Sequence, residues 1–308
     1  MESYKIEETV YLHIKGIGLD TDFNLGNITI LKATESNLKN RPAEKLLKRR
    51  KEDYFGQVLN KNMENDFWGA ALSEYKVVAE PQRAFERAKD ETRRALEILR
   101  FASKSIYPID DDIRIGLEDE QSYSSKVAFI VSDKRISLKK DSEGTFKSFE
   151  INSEVKKKLE EIGVFVLSDI LKKKNATDYE EALLRAVHWF SSALLQSELE
   201  NAFLSMIIAL ETLFTAKDRD PIATTIAEGV ALLLSEELET RKKIKKAVKY
   251  YYGMRNGISH GGKENVMESE YFRLMDIVRS IIMKLTERIN DFSDRISFLD
   301  WIEDLKLR

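Results

Sequence analysis

The sequence contains no cysteine and only three histidines among its 308 residues. The lack of cysteine excludes disulfide bonds and thiolate metal ligands, and it fits a protein of the reducing cytoplasm. His13, His188 and His260 lie far apart in the chain, so the sequence does not predict a histidine metal site. We expect no metal and no other cofactor.

Long apolar runs and a surplus of positive charge are also missing. No run approaches the roughly 20 apolar residues that cross a bilayer, and the segment from Met1 to Ile6 lacks the basic and apolar order of a secretory signal. We therefore expect no membrane partner. The formal net charge of -3 excludes a protein that is basic overall, so any contact with nucleic acid must come from a local patch.

The first part of the chain predicts a sheet with inserted helices. Up to about residue 175 the pattern switches repeatedly between strand-like alternation and helical spacing. A helix is predicted from Gln82 to Ser103, where Pro81 is well placed to begin it. The strand candidates are Val10–Ile14, Ile28–Ile30, Tyr75–Val77, Val127–Val131 and Thr145–Ile151.

The rest of the chain predicts helices almost throughout. The polar segment Lys172–Asp178 lacks periodicity and marks a domain boundary. The predicted helices are Glu180–Gln196, Glu198–Thr215, Pro221–Leu234, Leu238–Met254 and Tyr271–Ile289. Their short connections favour antiparallel neighbours in a bundle. The predicted fold class is α+β, with a mixed sensor or regulatory domain over residues 1–175 and an all-α bundle over residues 176–308.

The predicted helix from Leu238 to Met254 carries two different stripes. An apolar stripe of Ile244, Val248 and Tyr251 continues to Arg255. A second stripe holds four cations that repel one another, and RNA phosphates would relieve that repulsion without any reading of sequence. These cations are Lys242, Lys245, Lys246 and Lys249. The alternative is a solvated face whose charges are answered by nearby glutamates, Glu236, Glu237 and Glu239.

The segment behind this helix combines three side chains suited to phosphodiester chemistry. Its glycines predict that the helix stops near Met254 and that His260 lies on a turn close to Arg255. An imidazole with a pKa near about 6.5 takes or returns a proton, and a guanidinium stabilises a crowded phosphate. The amide of Asn256 would orient the phosphate or the histidine. RNA supplies its own 2'-hydroxyl as the nucleophile.

The same segment spells two other motifs that fail on context. Residues 257–261 match a hydrolase elbow with Ser259 as the nucleophile, but that motif follows a strand and needs a later histidine. Residues 257–263 nearly match a phosphate-binding loop, yet Glu264 stands where Ser or Thr would hold magnesium. A serine hydrolase that uses Ser259 is therefore a weak hypothesis.

Residues 177–295 resemble the HEPN superfamily, most closely its Apea-like subgroup. The residues that carry the likeness are Ala209–Phe214, Ala227–Leu234 and Tyr250–Gly261, the last with the arginine, polar residue and histidine of the family motif. The resemblance implies a helical bundle that dimerises with both motifs in one cleft, and a metal-independent endoribonuclease. It implies work in antiviral defence, abortive infection or a toxin system, with a regulatory protein or a phage-derived trigger as a further partner.

Glu211 has a supporting place in this hypothesis. It lies in an otherwise apolar helix, so a buried carboxylate there would need a partner such as Arg255. A structural salt bridge and a carboxylate that holds Arg255 at the cleft both fit. The second hypothesis for the whole chain is a non-catalytic HEPN-like dimer that binds RNA, a nucleotide or a protein. His13 and His188 are assigned no role.

Overall fold

The computed structural model describes residues 6–42, 69–108, 113–117, 127–132, 135–140, 147–215, 222–261 and 265–307. The strands in these ranges are β1 Ile6–Lys15, β2 Ile17–Leu19, β3 Phe23–Leu25, β4 Ile28–Lys32, β5 Ala71–Ala79, β6 Gly116–Leu117, β7 Val127–Ser132, β8 Arg135–Lys140 and β9 Phe149–Ile151. The helices are α1 Glu35–Leu38, α2 Pro81–Ile106, α3 Ser153–Glu161, α4 Val164–Lys172, α5 Asp178–Ala193, α6 Leu199–Phe214, α7 Ile222–Leu234, α8 Leu238–Gly261, α9 Glu268–Glu287 and α10 Arg295–Lys306.

The predicted α+β fold class is confirmed, with an antiparallel sheet followed by helices. The tertiary contacts form two compact units, Met1–Leu96 with Ile106–Lys158, and Glu97–Ser105 with Leu159–Arg308. The helices that follow residue 176 all belong to the second unit, which also includes residues 159–175. None of the helices in the described ranges is both long enough and apolar enough to cross a membrane.

The first unit is built on a five-stranded sheet in the order β3-β4-β5-β1-β6. The neighbouring strands are antiparallel, and the longest pair, β1 with β5, sets Leu12 opposite Ser73 and Val10 opposite Tyr75. In β4, Ile28 and Ile30 are buried and Thr29 between them is half-buried, whereas in β1 Ile14 is buried and Val10 and Leu12 are half-buried. Of the predicted strand at 145–151, residues 145 and 146 lie outside the described ranges.

The second unit has a core rich in aromatic side chains. Tyr179 and Phe298 are almost fully buried and pack against one another with a ring-centroid distance of 5.5 Å. Helix α5 begins with a capping box, in which Thr177 and Glu180 satisfy each other's backbone amides. These contacts fix α5 against the C-terminal helices, as the hydrogen bond from the Tyr179 hydroxyl to the Leu285 carbonyl shows.

A glycine sets the distance between α6 and α7. A Cβ atom at Gly229 of α7 would lie 2.6 Å from the ring of Phe214 on α6, which is closer than real Cβ contacts come. Only glycine allows this approach without displacing the ring. Helix α8 packs on the same two helices. The candidate site is therefore carried by three helices that are closely packed on their buried faces.

Candidate active site on helix α8

Helix α8 does not stop where the sequence predicted. It runs without interruption from Leu238 to Gly261, so the predicted turn after Met254 is wrong and His260 belongs to the helix. Gly253 and Gly257 lie in the interior of this helix, and each interior glycine costs a helix about 1 kcal/mol relative to alanine. The burial of Tyr251, Tyr252 and Met254 around the first of these glycines supplies tertiary packing that offsets the cost. The helix therefore extends through residues that would end it in isolation.

The continued helix changes the relation between the two predicted catalytic residues. Arg255 and His260 are five positions apart, which corresponds to about 140° around the helix and about 7.5 Å along it. Asn256 and His260 are four positions apart and share a face. The structure describes the backbone of His260 and not its side chain, so the backbone alone defines its place on the helix. Asn256, and not Arg255, is thus one helical turn from the histidine on the same face.

Arg255 faces Glu211 of helix α6. One guanidinium nitrogen, Nη2, lies 3.7 Å from Oε1 of the Glu211 carboxylate, and the side chains are 34% and 22% exposed. This separation is too long for a direct hydrogen bond, and a pair so accessible to water contributes about 0–1 kcal/mol. The predicted partnership of these two residues is present, but it holds the arginine loosely. The carboxylate orients the guanidinium by charge attraction, and a phosphate competes with it at small cost.

Tyr252 holds the other side of the same carboxylate. Its hydroxyl donates a 2.7 Å hydrogen bond to Oε1 of Glu211, the oxygen that faces Arg255. Burial and this hydrogen bond raise the pKa of Tyr252 far above its ordinary value. The phenol therefore stays protonated and acts as a donor that fixes Glu211, and it is unsuited to act as a base. Sequence reasoning assigned Tyr252 no role, although it lies three positions before Arg255 and so on the same face.

Asn256 makes the second described contact of the arginine. Nη1 of Arg255 donates to the Asn256 side-chain oxygen over 3.4 Å, a long hydrogen bond between neighbouring residues. Asn256 is exposed. A guanidinium carries five N–H donors, so these two long contacts leave donor capacity for an anion. Chemically, the cluster offers a cation backed by a carboxylate and an exposed amide beside it.

The four predicted RNA-binding lysines divide into two kinds. Lys242 pairs with Glu239 at 2.7 Å, and both of those side chains are more than half exposed. Lys245 instead reaches across to Glu228 of α7, also at 2.7 Å, and the second oxygen of Glu228 accepts from Lys306 of α10. Lys245 thus links helices in the bundle.

Lys246 and Lys249 are both exposed. Within the described part of the chain neither has a carboxylate partner. These two lysines are therefore the cations of the row that remain available to an anion. The alternative was a solvated face whose lysines are paired with nearby glutamates. It applies to Lys242, which pairs with Glu239.

The rejected motifs also lack their structural context. Ser259 is exposed on a helix, whereas a nucleophile elbow places its serine on a turn after a strand. The near match to a phosphate-binding loop begins inside α8, and residues 262–264 lie outside the described ranges. No group of three or more His, Asp or Glu side chains among the described residues is arranged to hold a metal ion.

His188 of α5 lies in a separate polar cluster of the second unit. Its Nδ1 atom lies 2.7 Å from Oε1 of Glu97, and this hydrogen bond raises the pKa of His188 while partial burial opposes the shift. Arg100, on the same helix as Glu97, donates to the hydroxyl of Ser191. The hydrogen bond with Glu97 gives His188 a structural place on the surface of the bundle.

Comparison with protein-family models, with curated proteins and with solved structures gave no match for this chain. The resemblance to the HEPN superfamily therefore stays a prediction from the sequence.

Proposed function

We propose that this chain is a metal-independent endoribonuclease of the HEPN type. The observation that carries the proposal is the setting of Arg255: its guanidinium is backed by Glu211, partly open to water, and placed on the helix that also carries the lysines and His260. A phosphodiester needs a cation that contacts it and a proton carrier nearby. Arg255 and His260 supply these two groups.

The reaction is a transfer within the RNA strand. The 2'-oxygen attacks the adjacent phosphorus, a base removes the 2'-hydroxyl proton, and an acid gives a proton to the departing 5'-oxygen. The products are a 2',3'-cyclic phosphate and a free 5'-hydroxyl, and neither water nor a metal ion is consumed. An imidazole performs either proton transfer near neutral pH.

The other site residues support the developing charge. Arg255 neutralises the added negative charge on the phosphorus oxygens at the transition state. Asn256, on the helix face of His260, orients the phosphate or the imidazole through its amide. Glu211, fixed by the Tyr252 hydroxyl, sets the direction from which Arg255 approaches. Lys246 and Lys249 bind neighbouring phosphates.

The active form is a homodimer in the cytoplasm, with one motif from each copy facing a shared cleft. Two imidazoles in that cleft allow one to act as the base while the other acts as the acid. Residues 1–175 restrain the nuclease or sense a trigger, which is a regulatory protein or a phage-derived component. The setting is antiviral defence, abortive infection or a toxin system, where restrained RNA cleavage has a use.

A non-catalytic binding module is the second candidate. The helical course of residues 255–260 favours it, because a helix separates the Arg255 and His260 positions by about 140°. Such a chain would bind RNA, a nucleotide or a protein partner through the same surface. It would not slow growth when expressed without restraint, whereas a nuclease would do so in an His260-dependent way.

Cleavage of RNA in the presence of EDTA tests the proposal. We expect the purified wild-type chain to cut single-stranded RNA, and the His260→Ala and Arg255→Ala variants to lose this activity while they keep the helical circular dichroism of the wild type. Ser259→Ala is the matched control, since its side chain is exposed on the same helix and has no role in the mechanism. Wild-type and His260→Ala proteins of equal inertness would refute the nuclease.

A further inference from the structure

One face of helix α8 forms a continuous line from the lysines to the histidine. The positions follow one another at steps of four, three, four, three and four, which keeps them within one face of a helix about 27 Å long. We name this face the outer stripe. Its residues are Lys242, Lys246, Lys249, Gly253, Asn256 and His260.

The outer stripe is exposed from Lys242 to Asn256. The first five positions are exposed, and the backbone places His260 in line with them. Gly253 lies between the lysines and the amide of Asn256. A Cβ atom at Gly253 would meet no atom within 4 Å among the described residues, apart from those of its own helix backbone. The helix surface at Gly253 therefore carries no side chain, and an extended chain can lie against the helix there.

The charges of the stripe favour a polyanion as its occupant. Lys246 and Lys249 have no carboxylate partner in the described ranges. The pair of Lys242 with Glu239 is so exposed that a phosphate replaces it at little cost. A second copy packed against the three lysines would add further positive charge there, whereas the shared cleft of the proposed dimer involves the Asn256 and His260 end of the stripe.

An exposed aromatic ring stands beside the lysines. Tyr250 follows Lys249 and is 54% exposed, although it is a large aromatic residue. Its hydroxyl is anchored to Oε1 of Glu270 on α9 by a 2.6 Å hydrogen bond, and the other carboxylate oxygen of Glu270 accepts from the Met267 backbone amide. A fixed, exposed ring next to phosphate-binding cations is the arrangement on which an unpaired base stacks.

We propose that the outer stripe binds single-stranded RNA, with its phosphates on Lys242, Lys246 and Lys249, one base stacked on Tyr250, and the backbone passing over Gly253 toward Asn256 and His260. This inference rests on the proposed function and specifies its substrate as an unpaired strand. Lys245 is not part of this surface because it is held by Glu228. A duplex fits poorly, since its bases are already stacked on one another.

Binding to a strand that is not cleaved tests the stripe separately from catalysis. The probe is a fluorescent single strand with 2'-O-methyl groups throughout, measured by anisotropy in EDTA at several salt concentrations. Three phosphate contacts on a single strand predict a slope of log affinity against log salt of about -2. The variant Lys246→Gln/Lys249→Gln is expected to reduce that slope to about -0.7. The charge-matched control is the double variant Lys245→Gln/Lys284→Gln, which keeps the wild-type slope, since Lys245 is held by Glu228 and Lys284 is exposed on α9.

Further variants test the Tyr250 ring and the open helix surface at Gly253. Tyr250→Ala is expected to weaken binding at least about fivefold with no change in slope, because a stacked base contributes no counterion release. Tyr250→Phe keeps the ring and retains the affinity. Gly253→Gln is expected to weaken binding without lowering the melting temperature, because its side chain covers the path of the backbone.

Three results would overturn the stripe. One is an equal loss of slope in the control variant Lys245→Gln/Lys284→Gln. Another is equal affinity for the matched duplex. The third is dissociation of a wild-type dimer by the lysine or glycine variants with no RNA binding by the wild type, which would assign the surface to a second copy. The RNA-binding stripe and the nuclease can fail separately. If the chain binds the 2'-O-methyl strand tightly but cuts no ordinary RNA, the stripe proposal stands and the nuclease proposal fails. If the lysine and tyrosine variants leave cleavage unaffected, the nuclease proposal stands and the stripe proposal fails.

Discussion

The hydroxyl of Tyr252 donates to the same oxygen of Glu211 that faces Arg255. A neutral donor thus fixes the carboxylate whose position governs the arginine. The contact joins α6 to α8, and through Arg255 it connects the packed interior of the bundle to the exposed amide of Asn256. Four predictions follow from this contact and from other contacts in the same unit.

Tyr252→Phe removes one hydrogen bond and leaves the buried ring in place. We expect a loss of about 0.5–1.5 kcal/mol in unfolding free energy. We also expect a slower single-turnover cleavage rate with unchanged affinity for the 2'-O-methyl strand, since Glu211 no longer directs Arg255. A rate equal to that of the wild type would mean that Tyr252 only stabilises the fold.

Glu211→Gln removes the negative charge beside Arg255 and keeps an oxygen that accepts from Tyr252. The arginine then has a stronger attraction for phosphate but no fixed direction. We expect tighter binding of the 2'-O-methyl strand and slower cleavage, measured on the same preparation. If the ion pair were structural alone, the variant would lower the melting temperature and leave both affinity and rate unchanged.

Gly253→Ala is expected to stabilise the protein. The methyl group enters open space, and alanine is favoured over glycine in a helix interior by about 0.8–1.0 kcal/mol. Gly229→Ala is the opposite case, because its Cβ would lie 2.6 Å from the Phe214 ring, and overpacking costs about 1–3 kcal/mol. Urea denaturation of both variants measures the contrast, and a destabilised Gly253→Ala would show that the helix surface there is occupied.

His188 gives the bundle a pH dependence of known sign. Its hydrogen bond with Glu97 raises the pKa of the folded-state imidazole, while Arg100 opposes the shift. The stabilisation is thus complete below the unfolded-state pKa of about 6.5 and is lost as the pH rises through the higher folded-state value. Urea midpoints of the wild type are expected to fall over that range. His188→Gln is expected to remove this part of the fall, and an unchanged pH profile would contradict the assignment.

The strands and helices could be predicted from the sequence because their buried faces repeat with regular periods. Ile28 and Ile30 are buried on either side of Thr29 in β4, and the helical spacing of Phe203, Ile207 and Leu210 follows the buried side of α6. The pairing of Glu211 with Arg255 was also predictable, because a carboxylate in an apolar helix requires a partner.

The end of α8 could not be predicted from local signals. Glycine disfavours a helix by a fixed local amount, but the packing of Tyr251 against Phe203, with their ring centroids 5.9 Å apart, is a tertiary effect. The four lysines also look alike in sequence. Only the position of Glu228 on a neighbouring helix separates Lys245 from Lys246.

The chemistry of the cut end tests the central claim most directly. A single-stranded RNA is incubated with the wild-type protein in EDTA. A parallel reaction uses the same strand with one deoxyribose at the cut position, and the masses of the products are measured by mass spectrometry. The account predicts a 2',3'-cyclic phosphate on the upstream product, resistance of the deoxyribose position, and loss of both products in His260→Ala. Cutting at the deoxyribose, or the same products from His260→Ala, would contradict it.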